Sequence, residues 1–98
     1  MKVLWTPEAE QDRGDIWDHI AADNPLAAAR MDELFSGAAT ILADFPHRGR
    51  IGEIPGTREL FPHENDRLVY AVEEETVWIL ALVHASRLWP PVLESKSE

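Results

Sequence analysis

The hydrophobic pattern of the chain changes its period at Pro46, and this change constrains the possible folds strongly. Before Pro46, apolar residues recur every three or four positions, as they do along one face of an α-helix. After Pro46, glycines and prolines separate short runs that alternate or are wholly apolar, which is typical of β-strands. The sequence therefore predicts an α+β domain, with its helices in the first half of the chain and its strands mostly in the second.

Two cap-and-proline signals divide the helical half. Thr6 precedes Pro7, and Asn24 precedes Pro25, so each pair places a side-chain acceptor at the N-cap and a proline at the first helical position. These signals predict a first helix that begins at Pro7 and a second that begins at Pro25 and is stopped by Pro46. Because a few residues join them, the two helices are expected to form a hairpin.

The faces of the two helices are predicted from their periodicity. The first helix has an apolar face that carries Trp17, expected in the core, and an acidic face that is ordinarily solvated but could steer a basic segment of a partner protein. Gly37, inside the second helix, suggests a close approach to the first helix or the sheet. The apolar stripe of the second helix consists of Ala28, Met31, Phe35, Ala38, Leu42 and Phe45.

Four segments have the pattern of strands. The last of them is apolar on both faces and is expected at the centre of the sheet. The full prediction is an N-terminal strand and a helical hairpin packed on an antiparallel sheet of about four strands, in a single domain over residues 1–98 with residues 91–98 as a flexible tail. The predicted strands are Met1 to Trp5, Thr57 to Phe61, Leu68 to Val72, and Val77 to Val83.

The charge balance restricts the partners that the chain attracts. Eighteen acidic residues against nine Lys and Arg give a net charge of -9, which opposes unaided adhesion to nucleic acid or to anionic lipid. Cysteine is absent, which fits a reducing compartment. No apolar run has the length of a signal peptide or of a membrane span, so a cytoplasmic protein without membrane contact is expected.

Six fragments, in order along residues 5–90, resemble the RelE/ParE superfamily of toxins from bacterial type II toxin-antitoxin systems. The resemblance covers most of the chain, and its specificity comes from the combination of fragments. They are Trp5-x-Pro7-x-Ala9, Ile20-Ala21-Ala22-Asp23-Asn24-Pro25-x-Ala27-Ala28-x-Arg30, Phe45-Pro46-x-x-Gly49-Arg50, Gly56-Thr57-Arg58-Glu59-Leu60, Arg67-Leu68-Val69-Tyr70, and Val83-His84-x-x-Arg87-x-Trp89-Pro90.

The resemblance implies a toxin that a cognate antitoxin neutralises and that reaches operator DNA only through that antitoxin. RelE-like members cut messenger RNA in the ribosomal A site, whereas ParE-like members, which include plasmid stabilisation proteins, inhibit DNA gyrase without being nucleases. Asn24-Pro25 and the segment from Gly56 to Leu60 are more similar to the ParE side. The expected function is therefore gyrase inhibition, without enzymatic activity of the chain itself.

Two alternatives remain open at this stage. The first is a ribosome-dependent endoribonuclease, but Leu60 stands where a lysine is often found, and the indole of Trp89 cannot exchange a proton as a tyrosine would. The second is a family member that only binds and is not toxic. The candidate catalytic residues of the nuclease are Arg58, Arg67, His84 and Arg87.

The candidate target-binding residues are Arg58, Arg87 and Trp89, at or near the ends of predicted strands. Each also has a structural interpretation: an ion pair of Arg58 with Glu59 or Glu64, a solvated strand end for Arg87, and core packing for Trp89. His84 could instead be hydrogen-bonded within the sheet. No metal site and no cofactor are expected, since the remaining histidines lack ligand spacing and no phosphate-binding glycine loop is present.

Overall fold

The structure, a computed structural model, describes residues 1–84 and 89–90. Two helices pack on one face of a five-stranded sheet, which confirms the predicted α+β class and the helical hairpin. None of the described helices is both long and apolar enough to span a membrane. In chain order, the elements are β1 (Lys2–Trp5), α1 (Pro7–Ala21), α2 (Pro25–Ile41), β2 (Arg50–Ile51), β3 (Arg58–His63), β4 (Asp66–Glu73) and β5 (Thr76–His84).

Both helices begin where the cap signals predicted. The Thr6 hydroxyl accepts a hydrogen bond from the Ala9 amide at 3.2 Å, and the side-chain Oδ1 atom of Asn24 accepts one from the Ala27 amide at 3.1 Å. Each cap satisfies an amide that has no partner within the first helical turn. The local sequence therefore fixes both helix starts.

The second helix ends earlier than predicted. It stops at Ile41, because the amides of the next three residues bond three positions back instead of four, which tightens the chain into turns. Phe45, predicted in the apolar stripe, consequently lies beyond the helix and is 59% exposed. Pro46 lies several residues beyond Ile41, the last residue of the helix, and therefore does not terminate the helix.

The sheet differs from the prediction in strand number and in direction. Its order is β1-β5-β4-β3-β2, so it has five strands, and β4 occupies the middle position that was predicted for β5. The pairs β2–β3, β3–β4 and β4–β5 are antiparallel, whereas β1 runs parallel to β5. The sheet is therefore mixed, because the long crossover through both helices lets the chain return in either direction, while short turns force antiparallel pairing.

The core lies between the helices and one face of the sheet, called here the inner face. Side chains alternate along each strand, so the neighbours of core residues point to the opposite, outer face. α1 packs on β5 and α2 packs on β3. The buried residues of the core cluster are Ala9, Phe35, Ala38, Ala39, Leu42, Leu68, Tyr70, Val77, Ile79 and Leu82.

A bidentate ion pair connects α1 to α2. The Arg13 guanidinium donates to both carboxylate oxygens of Asp32, at 2.6 and 2.9 Å, and lies 4.7 Å from the centre of the Trp5 ring. The hydrogen bond to Asp32 raises the pKa of Arg13 against the opposing effect of burial. The partly buried guanidinium of Arg13 therefore has an opposite charge beside it, and the pair connects α1 to α2.

Two expectations about the helices are wrong. Trp17 is 40% exposed. The side chains of α1 that point inward are Ala9, which is buried, and Ile16, which is partly buried against the core; Trp17 lies one position further round the helix. Gly37 has no atom within 4 Å of the place where a Cβ would stand, so no close approach requires a glycine there.

Candidate functional site

The sheet separates the candidate catalytic residues between its two faces. Arg58 lies opposite Tyr70, and His84 lies opposite Asp66; both positions share the inner face with Leu68 of the core. Arg67 lies between Asp66 and Leu68 in sequence, so its side chain points to the outer face. The described members of the predicted nuclease set are therefore not brought together, and Arg87 lies outside the described residues.

Arg58 is bound to the loop that follows α2. Its Nη1 atom donates to the carbonyl oxygen of Gly49 at 2.8 Å and to that of His47 at 3.4 Å. The alternative of an ion pair with Glu59 is wrong, because consecutive residues of a strand point to opposite faces. Arg58 is only partly exposed, and the contacts that it makes in this structure hold the loop against β3.

Tyr70 holds the same loop from the middle of the sheet. Its hydroxyl donates to the carbonyl oxygen of Pro46 at 2.8 Å and accepts from the Gly49 amide at 2.9 Å, while the whole residue is buried. Burial raises the pKa of Tyr70, and the hydrogen bond from Gly49 only partly opposes this. The strand pattern of the sequence indicated that Tyr70 was in a strand but not that its hydroxyl organises this loop.

Asp66 links two histidines at the end of the inner face. The Nδ1 atom of His84 is 2.7 Å from one carboxylate oxygen of Asp66, and the Nδ1 atom of His63 is 3.5 Å from the other. The Asp66 side chain is fully buried, and the ring of His19 on α1 lies 6.3 Å from that of His84. His84 is therefore held within the sheet by a carboxylate that the sequence did not single out.

Glu59 forms the main ionic contact of the outer face. Its buried carboxylate lies 3.3 Å from Arg50 and 3.5 Å from Arg67, and it accepts a hydrogen bond from the Glu53 amide at 3.1 Å. Burial alone would raise the pKa of Glu59, but the Glu53 amide and the two guanidiniums outweigh it and lower the pKa. Both guanidiniums also flank the ring of Phe61.

The lowered pKa of Glu59 predicts a pH-dependent contribution to stability. Glu59→Gln should lower the free energy of unfolding by about 1.5–3 kcal/mol at pH 7, because charged hydrogen bonds are lost. The ionised carboxylate stabilises the fold above its unfolded pKa of about 4.3, and this contribution disappears as pH falls through the lower folded value. Urea unfolding at pH 7, 5 and 3 should show that the difference in free energy of unfolding between wild type and variant becomes smaller as the pH falls.

The control for this measurement is Glu64→Gln, which removes an exposed carboxylate from the β3–β4 turn. Its effect should stay within about 0.5 kcal/mol at each pH. A gap for Glu59→Gln that is as large at pH 3 as at pH 7 would show that its charge is not the stabilising feature.

Trp89 lies beside a cleft between α1 and β5. The cleft has a volume of about 630 Å³, and Leu80, Ala81 and Val83 also line it. Trp89 is partly buried, and within the described residues its indole Nε1 atom has no hydrogen-bond partner.

The predicted tail, residues 91–98, lies outside the described part of the chain. No three His, Asp or Glu side chains among the described residues are grouped as metal ligands.

Comparisons with solved structures agree on the fold. A structure of the chromosomal ParDE toxin-antitoxin system from P. aeruginosa matches with a TM-score of 0.75 at 24% identity, covering 86% of this chain and 95% of that one. A YoeB/ParE toxin from Agrobacterium tumefaciens matches with a TM-score of 0.61 at 18% identity, covering 86% and 98%. At these identities the likeness shows that the fold is shared.

Sequence comparisons identify the family. Toxin RelE2 of Caulobacter vibrioides is 38% identical over 87 residues, which cover 89% of this chain and 98% of the relative. The toxin-family protein Y4kP of Sinorhizobium fredii is 35% identical over 92 residues, which cover 94% and 96%. The family model described as the ParE toxin of the type II toxin-antitoxin system parDE matches residues 3–89. The chain therefore belongs to the ParE toxin family of type II toxin-antitoxin systems.

Proposed function

We propose that this toxin, when it is not bound to its cognate antitoxin, inhibits DNA gyrase by binding the enzyme as a protein ligand. The observation that carries the proposal is the separation of the polar residues: Arg58 and His84 lie on the inner face of the sheet, and Arg67 lies on the outer face. Among the residues that the structure describes, these side chains are not grouped around one point, which favours a toxin that acts by occupying a site on its target.

The contacts of these residues support the same interpretation. RNA cleavage needs a cation at the phosphate and proton-transfer groups at the attacking and leaving oxygens, all within about 3 Å of the reacting atoms. Here the guanidinium of Arg58 donates to backbone carbonyls, that of Arg67 lies against Glu59, and His84 contacts Asp66. Each group thus has a partner within the fold, which argues against a shared catalytic role for the three.

The net charge also favours a protein target. A charge of -9 repels the phosphate backbone at long range, so binding to RNA or to the ribosome would have to overcome this repulsion. Docking on a protein depends more on shape and on a few anchoring aromatic or arginine residues. Arg58, Arg87 and Trp89 are the proposed contacts with the target.

A supercoiling assay with purified, antitoxin-free protein tests the proposal. The expected result is dose-dependent loss of gyrase supercoiling, with Trp89→Ala at least about tenfold less potent, since truncating a central aromatic anchor costs about 2 kcal/mol or more. The matched control is Trp17→Ala, which removes an exposed tryptophan from α1 and should leave the potency unchanged. Unaffected gyrase at a large excess of toxin would remove this target.

One observation favours a second candidate, the ribosome-dependent nuclease. Asp66 contacts the Nδ1 atom of His84, and a carboxylate in this position orients a histidine for proton transfer at its other nitrogen. In this candidate, His84 would move a proton, and Arg58, Arg67 and Arg87 would supply the positive charge. A third possibility, a member that binds without toxicity, predicts harmless accumulation of folded protein when it is expressed without an antitoxin.

A further inference from the structure

The second helix has an exposed apolar stripe in addition to the one that faces the core. Leu34 is 45% exposed and Ile41 is 40% exposed, and Gly37 lies between them on α2. Spacings of three and four residues place these three positions on one side of the helix, beside the side that carries the core residues Phe35 and Leu42. The exposed stripe therefore adds little to the core of the chain itself.

The exposed stripe forms one wall of a groove, and β3 forms the other wall. The groove has a volume of about 370 Å³. One acid, Glu33, and one base, Arg48, also line it, so the charges within the groove balance. A contiguous exposed apolar surface with a few polar groups is typical of a site of protein contact. The apolar side chains that line the groove are those of Leu34, Ala38, Ile41, Leu60, Phe61 and Pro62.

Gly37 lies in the middle of the exposed stripe and lines the same groove. Glycine inside a helix costs about 1 kcal/mol relative to alanine, and no packing within this chain requires it, because nothing lies within 4 Å of the place where its Cβ would stand. The distance between two packed helices depends on the side chains at their contact, so a position without a side chain lets a second helix come close. The close approach that Gly37 permits is therefore available to another molecule.

The charges at the ends of the exposed stripe are placed symmetrically about Gly37. Arg30 precedes it by seven residues and Asp44 follows it by seven. Both residues are exposed, and among the described side chains neither has an ion-pair partner. Asp44 stays close to the helix end, because its amide donates to the Ile41 carbonyl oxygen at 3.1 Å. When two copies of α2 lie antiparallel and cross at Gly37, Leu34 of one copy meets Ile41 of the other. Arg30 of one copy then meets Asp44 of the other.

We propose that two copies of the antitoxin-free chain associate through the exposed stripe of α2, with the two helices antiparallel and crossing at Gly37. Charge complementarity selects a second copy as the occupant, since a surface with a cation and an anion at matched distances from one point is complementary to itself. The net charge of -9 opposes self-association through any surface that lacks such pairs. The contact is small, so the dimer is expected to be weak and to depend on concentration.

Cross-linking through an introduced thiol tests the crossing point. The chain has no cysteine, so the single thiol of Gly37→Cys can form a disulfide only with the same position of a second copy. The matched control is Gly14→Cys on α1, another exposed helical glycine with nothing within 4 Å of its Cβ position. Under mild oxidation, Gly37→Cys should form covalent dimers about tenfold faster, since a disulfide needs two positions held close together. Equal rates for the two variants would overturn the proposal.

Charge reversal tests the two ion pairs, with the dimer of the full, antitoxin-free chain followed by sedimentation equilibrium. Asp44→Arg should weaken the dimer about tenfold, because two ion pairs are lost and like charges meet, even though the net charge becomes less negative. Arg30→Asp should weaken it similarly, and the two reversals together should restore it. The control is Glu73→Arg, which makes the same charge change at an exposed residue outside the groove and should not weaken the dimer.

Several outcomes of the sedimentation experiment would overturn the proposal. A monomer at every concentration would do so, as would a dimer that neither charge reversal weakens. A dimer that forms only after removal of residues 91–98 would assign the groove to the chain's own tail. A chain that is monomeric alone and loses its co-purified antitoxin on Gly37→Gln would assign the groove to the antitoxin. Because no gyrase is present, failure here leaves the proposed inhibition standing, and failure of the supercoiling assay leaves the dimer proposal standing.

Discussion

Tyr70→Ala is expected to lower the free energy of unfolding by about 3–5 kcal/mol, the largest effect of any single substitution proposed here. Tyr70 is fully buried among core residues, so truncation leaves a cavity and also removes both hydrogen bonds of its hydroxyl. Small domains have only about 5–15 kcal/mol of stability in total. Urea unfolding followed by circular dichroism should show the loss, or an unfolded variant.

Tyr70→Phe isolates the hydroxyl and keeps the measurement possible. It retains the ring but leaves the Gly49 amide and the Pro46 carbonyl without their partner, so a loss of about 1–3 kcal/mol is expected. Faster hydrogen exchange of the Gly49 amide should accompany it, because this amide is the group released. A variant as stable as wild type would show that Tyr70 serves only as a core residue and does not hold the loop.

Gly49→Ala is the second substitution with a large expected effect. A Cβ at this position would stand 2.7 Å from the Glu59 carbonyl oxygen and 2.8 Å from the Tyr70 hydroxyl, and neither the strand backbone nor the buried tyrosine can move away easily. Overpacking of this kind costs about 1–3 kcal/mol. Thermal or urea unfolding measures it, and the altered loop should also disturb the Arg58 contact with the Gly49 carbonyl.

The matched control is Gly37→Ala in the middle of α2. Nothing lies within 4 Å of that Cβ, and alanine is about 1 kcal/mol more favourable than glycine inside a helix. The two substitutions are chemically identical, but they should change the free energy of unfolding in opposite directions, with Gly37→Ala stabilising the protein. If both variants lose stability to the same extent, the tight packing at Gly49 is not the cause.

The helical half of the fold was predictable because its determinants are local. An N-cap side chain and the proline after it act within one turn, so Thr6-Pro7 and Asn24-Pro25 could be interpreted without tertiary information. The direction of β1 was not predictable, since it depends on where a chain returns after two helices. The strand pattern was sufficient to exclude an ion pair between Arg58 and Glu59, because adjacent residues of a strand point to opposite faces of the sheet.

The pairing of His84 was hidden by a bulge. Near the turn of the last hairpin, Tyr70 lies opposite Ile79, but Val69 lies opposite Ala81, so Leu80 is an extra residue. This single residue shifts the register and brings His84 opposite Asp66. Without it, both residues would have other partners. No feature of the sequence marks the bulge. The strands that carry Asp66 and His84 could therefore be predicted from the sequence, but the contact between these two residues could not.

In the described part of the chain, the sheet places Arg58 and His84 on one face and Arg67 on the other, so these residues form no common reaction centre for RNA. Primer extension on messages translated in the presence of purified, antitoxin-free protein tests it most directly. Full-length products without cuts phased to codons are expected, at toxin concentrations that stop gyrase supercoiling. Codon-phased cuts that Arg67→Ala and His84→Ala each abolish, while both variants remain folded, would contradict it.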